Sequence, residues 1–266
     1  MRGEKILQPK SIIVIPARYE SLRLSGKALL KQTGKFLVQH VYEQALKTKA
    51  DKIIVATDDL RIKKAVESFG GFAVLTSDKH PSGTDRVAEA AAMFPEYKII
   101  VNLQGDEPEV DPAAVDLLID IQTQTNAFMS TLCCEFAGDT YLNCQLPSCT
   151  KVVLGKEIDV TGHKGVHQAL YFSRSLIPYF RSNNQDLDEH NKYLLHMGIY
   201  AYSPESLATY IKLNMGELEK TECLEQLRVL ENGYQVVCGK VKSSHVGIDT
   251  LDEYEKFVER YQHNKS

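Results

Sequence analysis

Three short apolar runs, Ile12 to Ile15, Lys52 to Ala56 and Phe72 to Leu75, alternate with two helical patterns. Nothing else in the chain constrains the fold as much. Runs of this β-branched kind fill strands buried on both faces. Between the first two, Phe36, Leu37, His40, Val41, Tyr42, Ala45 and Leu46 recur at helical spacing after Gly34. Between the second and third, Thr57-Asp58-Asp59 signals an N-cap, and a helix from Leu60 to Phe69 stops at Gly70-Gly71. The order β-α-β-α-β predicts right-handed crossovers and a parallel sheet.

Pro16 removes a backbone donor and fixes φ, so the first strand is expected to stop there. The loop beyond it carries Arg18, Arg23 and Lys27, with Gly26 permitting close backbone approach. The carboxyl end of a buried strand is where an open α/β sheet binds its ligand. Three cations there repel one another unless an anion sits among them, and a triphosphate is the obvious candidate. A solvated basic turn is the other reading that the loop by itself leaves open. The formal net charge is −4, so the basic cluster is local and favours a small anion over nucleic acid.

Ser82-Gly83-Thr84 caps an Ala-rich helix, Val87 to Met93, whose N-terminus offers donors to an anion. Arg86 lies in its first turn and opposes the helix dipole, which fits a ligand or a partnering carboxylate. The strand Lys98 to Leu103 closes on Gln104-Gly105-Asp106-Glu107-Pro108. Two carboxylates just beyond a strand end, on the edge that carries the basic loop, suit Mg²⁺ with substrate phosphates. A polar turn is the alternative.

Pro112 to Thr125 reads as a helix, Ala127 to Cys133 as a strand and Gly138 to Thr150 as irregular. Lys151 to Leu154 and Ala169 to Ser173 read as antiparallel strands around an excursion, Gly155 to His167, whose His163 and His167 are solvated. Tyr193 to Tyr202 is a strand, and Ser203-Pro204 opens a helix that continues through Leu213. Glu222 to Gly233 reads as one helix, Tyr234 to Val241 as a last strand, and Leu251 to Tyr261 as a last helix capped by Asp249 or Thr250. The 266 residues contain no linker or repeat, so a single domain, 1–266, is expected. No apolar run approaches the ~18 residues that span a bilayer, and the N-terminus lacks an apolar signal core. A cytoplasmic protein with its six cysteines reduced is expected, with no membrane or nucleic-acid partner.

The chain resembles the bacterial 3-deoxy-manno-octulosonate (Kdo) cytidylyltransferases, or CMP-Kdo synthetases. The matching pieces include Val14-Ile-Pro-Ala-Arg-Tyr19, Ser82-Gly-Thr-Asp-Arg86, Val101-Asn-x-Gln-Gly-Asp-Glu-Pro108, Ala169-Leu-Tyr-Phe-Ser-Arg174, His196-x-Gly-Ile-Tyr-x-Tyr202, Leu224-Glu-Gln-Leu-Arg-Val-Leu230 and Gly247-x-Asp-Thr250. They stand in family order across nearly the whole chain. The resemblance implies an α/β fold of the nucleotide-diphospho-sugar-transferase (Rossmann-like) kind. Its mostly parallel sheet is sandwiched by helices, with a smaller mixed sugar-binding and dimerisation insertion. In this chain 1–125 would bind CTP, 126–245 the sugar and a second subunit, and 246–266 would supply a metal aspartate and a C-terminal helix.

The implied reaction moves CMP from CTP to Kdo with release of pyrophosphate, in a Mg²⁺-dependent homodimer. Alternatives are the same chemistry on 8-amino-Kdo or a neuraminic acid, or a non-catalytic nucleotide-binding homologue. By position, Arg18, Lys27 and Asp106 would be catalytic. Ala17, Arg18, Ser21, Arg23, Lys27, Ser82, Arg86 and Asp106 would bind the nucleotide, and Asp106 and Asp249 the metal. Gln104, Arg174, His196, Tyr200, Glu225 and Gln226 would surround the sugar, with Arg174 meeting its carboxylate. Glu20, Leu22, Ser25 and Leu195 depart from the family's residues, which touches the basic loop and the sugar pocket.

Overall fold

The computed structural model describes residues 8–20, 24–136, 138–181, 192–242 and 247–263. β1 (Ser11–Ala17), β2 (Lys52–Thr57) and β3 (Ala73–Leu75) alternate with α1 (Leu37–Ala45) and α2 (Leu60–Ser68). α3 (Gly83–Ala92), β4 (Ile99–Asn102) and α4 (Pro112–Thr125) follow. The second half holds β5 (Met129–Glu135), β6 (Lys151–Glu157), β7 (Val166–Ser173), β8 (Leu194–Tyr202), α5 (Pro204–Tyr210), α6 (Glu217–Glu222), α7 (Gln226–Glu231), β9 (Val236–Val241) and α8 (Leu251–His263).

One nine-stranded sheet runs β3-β2-β1-β4-β8-β5-β9-β7-β6. β1 pairs in parallel with β2 and β4, as do β2 with β3 and β5 with β9. The pairs β4–β8, β5–β8, β6–β7, β6–β8 and β7–β9 are antiparallel. A mostly parallel sheet therefore describes the first four strands, and the whole sheet is mixed. The reason lies in β8, which enters beside β4 in the opposite direction, and in the β6–β7 hairpin, which pairs only antiparallel.

Alternating residues of β1 feed two apolar layers. Ile13 and Ile15 pack with Val38, Val41, Val55, Ile62 and Leu118, whereas Ile12 and Val14 pack with Ile54, Val87, Ala90, Leu207 and Leu227. Helices thus cover both faces, as buried parallel strands require. The helix starts follow local chemistry. Asp59, Ser82 and Asp111 accept from backbone N–H groups at the starts of α2, α3 and α4, and Ser203 forms a capping box with Ser206.

Three sequence expectations need correction. β1 does not end before Pro16 but pairs with β2 through Ala17. The carbonyl of Val14 accepts from Leu103 on the β4 side, so Pro16, two residues on, turns its donor-less nitrogen toward the side where β4 stops. The segment Glu222 to Gly233 is not one helix, because Cys223 adopts a left-handed φ of 52° between α6 and α7. The Arg174 guanidinium takes the carbonyls of Glu222 (2.6 Å) and Cys223 (3.2 Å) there, so the end of α6 is capped by a side chain from after β7. His163, expected to be solvated, bonds Asp120 at 3.0 Å.

Candidate active site

β1 and β4 are adjacent and parallel, and the strand order reverses between them: β2 and β3 lie on one side, β8 and the later strands on the other. The crevice beyond the carboxyl ends of such strands is the ligand site of open α/β sheets. Two glycines shape it. Gly26, at φ 69°, donates its N–H to the carbonyl of Tyr19 at 2.7 Å and closes the basic loop. A Cβ on Gly105 would stand 2.7 Å from the Pro16 carbonyl oxygen, so only glycine lets the β4 turn lie this close to β1.

The loop closure delivers Lys27 to Asp106. The ammonium donates to Asp106 Oδ2 at 2.6 Å, Asp249 Oδ1 at 3.0 Å and the Ile248 carbonyl at 3.0 Å, so all three of its protons are used. Burial works against its charge, but Asp106 and Asp249 outweigh burial and hold its pKa above the ordinary lysine value. Asp249 is brought from the far end of the chain by three ties. Ile248 donates its N–H to the Asp106 carbonyl at 2.8 Å. Ile248, Tyr254 and Phe257 pack with Leu37 on α1, and Arg260 bonds Glu109. Thr250 and Glu253 form a reciprocal cap at the start of α8, as the sequence expectation had it.

Two clefts open here. The first, about 350 Å³, is walled by Ala17, Arg18, Lys27, Gly83, Gln104 and Asp106. The second, about 320 Å³, is walled by Gln104, Asp106, Thr150, Leu195, His196, Tyr200, Gln226 and Asp249 among others. Gln104 and Asp106 belong to both. A ligand in one cleft therefore abuts a ligand in the other across these two side chains. Arg18 is not engaged by any other described residue and faces the first cleft.

The second cleft is built around His196 on β8. Burial lowers its pKa to about 3, so the ring is neutral. The Thr131 hydroxyl lies within bonding range of the Ile199 and Met197 carbonyls, which use its proton, so it accepts from His196 Nε2–H at 3.0 Å. That leaves Nδ1 to accept from the Gln226 amide at 3.5 Å, and Tyr200 donates to Gln226 Oε1 at 3.2 Å. Three residues from two elements form one wall in this way.

Other expected site residues lie elsewhere. Ser82 is spent capping α3, and its neighbour Gly83 lines the first cleft instead. Arg86 is completely buried and bonded to Asp58 and Thr76, away from the cleft surface. Arg174 does not line the second cleft: besides Glu222 and Cys223 its guanidinium takes the Pro147 carbonyl at 2.7 Å. Glu225 stands behind the wall, where it accepts from Thr84 and Tyr210. Ser21 and Arg23 fall outside the described residues.

Sequence reading missed the strip 148–150, which lines the second cleft. Lys151, fully buried, holds it in place: its ammonium donates to the carbonyls of Leu146, Cys149 and Arg174. A lysine at the start of an otherwise apolar strand was the available signal. Glu107, also on that wall, is raised to about 8 by burial and then by Asp106.

Whether the site fits a divalent metal is decided by its donors. Asp106 and Asp249 converge on a single cation within 3.0 Å, here the Lys27 ammonium. Among the described residues no group of three or more His, Cys, Asp or Glu gathers around a common point. Two hard carboxylates with the remaining positions open fit Mg²⁺ bound together with substrate phosphates.

The cytidylyltransferase family profile matches residues 12–243. The 3-deoxy-manno-octulosonate cytidylyltransferase of Parabacteroides distasonis is 43% identical over 252 residues, covering 93% of this chain and 96% of that one. That of Rhodopirellula baltica is 42% identical over 258 residues, covering 95% and 99%. A solved CMP:2-keto-3-deoxy-manno-octonic acid synthetase complexed with CTP aligns with a TM-score of 0.84 and 40% identity, covering 96% of this chain and 99% of that one. Apo UDP-glucose pyrophosphorylase, at 12% identity and a TM-score of 0.63, shares the fold.

Proposed function

The chain belongs to the cytidylyltransferase family, and from that premise we infer that it is an enzyme transferring CMP from CTP to Kdo. The observation that carries the reading is the pair of clefts sharing Gln104 and Asp106. A nucleotide in the first and a sugar acid in the second would meet at that shared wall. The anomeric hydroxyl oxygen of the sugar attacks the α-phosphorus, the anhydride bond to the β-phosphate breaks, the hydroxyl proton is lost and pyrophosphate leaves. Such a transfer needs positioning and charge stabilisation more than covalent help from the protein. Arg18 would meet the triphosphate, Lys27 would do so by giving up bonds it makes to Asp106 and Asp249 here, and His196, Tyr200 and Gln226 would shape the sugar cleft. Asp106 and Asp249 would hold Mg²⁺, which when bound supplies positive charge to the departing pyrophosphate.

All six cysteines are free, which suits the reducing cytoplasm, and among the described residues no helix is long and apolar enough to cross a membrane. Leu142, Leu146, Leu170 and Tyr179 are exposed in the second half, which suits burial against a second subunit in a homodimer.

The test is incubation of the purified protein with CTP, Mg²⁺ and Kdo, with 8-amino-Kdo and N-acetylneuraminic acid in parallel, following pyrophosphate and the CMP-sugar. Turnover with Kdo well above the other two supports the reading. Preference for another acid would replace Kdo as the substrate, and CTP binding without turnover on any acid would refute the enzymatic reading.

A further inference from the structure

A line of polar side chains, buried at Asn102 and Thr84 and half-buried at Gln104 and Glu225, runs inward from the wall shared by the two clefts. Gln104 Nε2 donates to Asn102 Oδ1 at 3.0 Å. Asn102 Nδ2 donates to Thr84 Oγ1 at 3.2 Å, and Thr84 Oγ1 donates to Glu225 Oε2 at 2.7 Å. Tyr210 also donates to that carboxylate oxygen, at 3.3 Å. Asn102 and Thr84 are 0% and 1% exposed, so water is no substitute for a missing partner.

The chemistry of the groups gives the line a direction. Burial pushes the Glu225 carboxyl up, while the hydroxyls of Thr84 and Tyr210, both aimed at the one oxygen Oε2, and the nearby Arg228 hold it down. As a carboxylate it only accepts, so the single hydroxyl proton of Thr84 points to Glu225. Thr84 must then accept from Asn102, which turns the Asn102 amide nitrogen to Thr84 and its oxygen to Gln104. Gln104 must donate to that oxygen. Its remaining atom, Oε1, is left on the cleft side, 4.0 Å from where a Cβ on Gly83 would stand. An amide by itself has no such preference, because its two ends have the same shape.

We propose that Glu225 sets the sense of this relay and so makes Gln104 present its carbonyl oxygen to the junction of the clefts, where it accepts a hydrogen bond from the attacking hydroxyl of the sugar acid. The proposal rests on the cytidylyl-transfer reading of the site. A carbonyl cannot take the proton away, but it fixes where the hydroxyl's lone pairs point. Glu225, Thr84 and Asn102 are positioning residues that act through Gln104.

Thr84→Val removes the hydroxyl at nearly constant shape, and Thr84→Ser keeps it. The measurements are kcat/KM for Kdo, the Kd for CTP by calorimetry, and thermal unfolding, on the full chain. The relay predicts that Thr84→Val loses about ten-fold or more in kcat/KM for Kdo, because buried partners are left unpaired. CTP affinity should stay within about two-fold of wild type, and Thr84→Ser should stay within about two-fold on both. Equal losses for CTP and Kdo, or no loss at all in a folded Thr84→Val protein, would overturn the relay while leaving the function intact. If Thr84→Val does not fold, Glu225→Gln is read by the same criteria, since its amide can donate back to Thr84 and erase the direction. A wild-type protein inactive on every sugar acid would instead refute the reading beneath the proposal.

Discussion

Lys27 and Asp106, 79 residues apart in sequence, form a 2.6 Å ion pair beyond the ends of two adjacent parallel strands. Asp249 joins the same ammonium at 3.0 Å, so one lysine keeps two carboxylates together. Arg18, Lys27 and the two aspartates thus converge where the two clefts meet.

Replacing Lys27 by Met removes the ammonium that holds the two aspartates together and, in the proposed reading, a contact to the triphosphate. The expected loss in kcat/KM for CTP is about a hundred-fold or more, comparable to removal of one donor from a charge-stabilising site. Steady-state kinetics at varied CTP checks this, and a change below about three-fold would place the triphosphate elsewhere.

Asp106→Asn keeps the shape but halves the carboxylate pair. Turnover should fall by at least about a hundred-fold while the CTP dissociation constant changes by less than about five-fold, since the lost charge matters most as the phosphate bond breaks. Single-turnover kinetics beside calorimetry separates the two quantities. Normal turnover would remove Asp106 from the metal site.

Arg174→Lys probes a cation that the family resemblance assigns to the sugar carboxylate. Its guanidinium is bonded to the carbonyls of Pro147, Glu222 and Cys223, three acceptors that a lysine cannot match in geometry. The substitution should therefore cost stability, about 1–3 kcal/mol, measured by urea unfolding. A large rise in the Kdo KM with unchanged stability would mean that the guanidinium reaches the substrate after all.

His196 gives a pH dependence of known sign. Its pKa is lowered from 6.5 to about 3 in the folded protein by burial. Between those values the unfolded chain binds a proton that the folded chain does not, so stability falls as pH drops from 6.5 toward 3. One such site contributes a slope of about 1.4 kcal/mol per pH unit in that window. Urea unfolding at pH 7, 6 and 5 should show wild type losing stability faster than His196→Gln by about that slope. Parallel curves would mean the ring is not buried neutral.

The first half of the fold was legible because its signals are local. The apolar runs, the caps at Asp59 and Ser82, and the Gly70 stop all act within a few residues of their position. Pro16 misled because its effect depends on which neighbour its nitrogen faces, and β4 had stopped on that side. The break at Cys223 was invisible for a similar reason: it is capped by Arg174, which lies 49 residues earlier. Arg18, Lys27, Asp106, Gln104, His196, Tyr200, Gln226 and Asp249 do come together at the two clefts. Arg86, Arg174 and Glu225 do not face them, because buried or backbone partners occupy their polar atoms, and a motif does not reveal which way a charge is turned.

The most direct measurement is a crystal structure of this chain with Mg²⁺, a non-hydrolysable CTP analogue and Kdo. The account predicts the triphosphate beside Arg18 and Lys27, the sugar acid against His196 and Gln226, and the α-phosphate meeting the sugar hydroxyl at Gln104 and Asp106. Either ligand bound away from that shared wall, or a metal bound without Asp106 and Asp249, would contradict it.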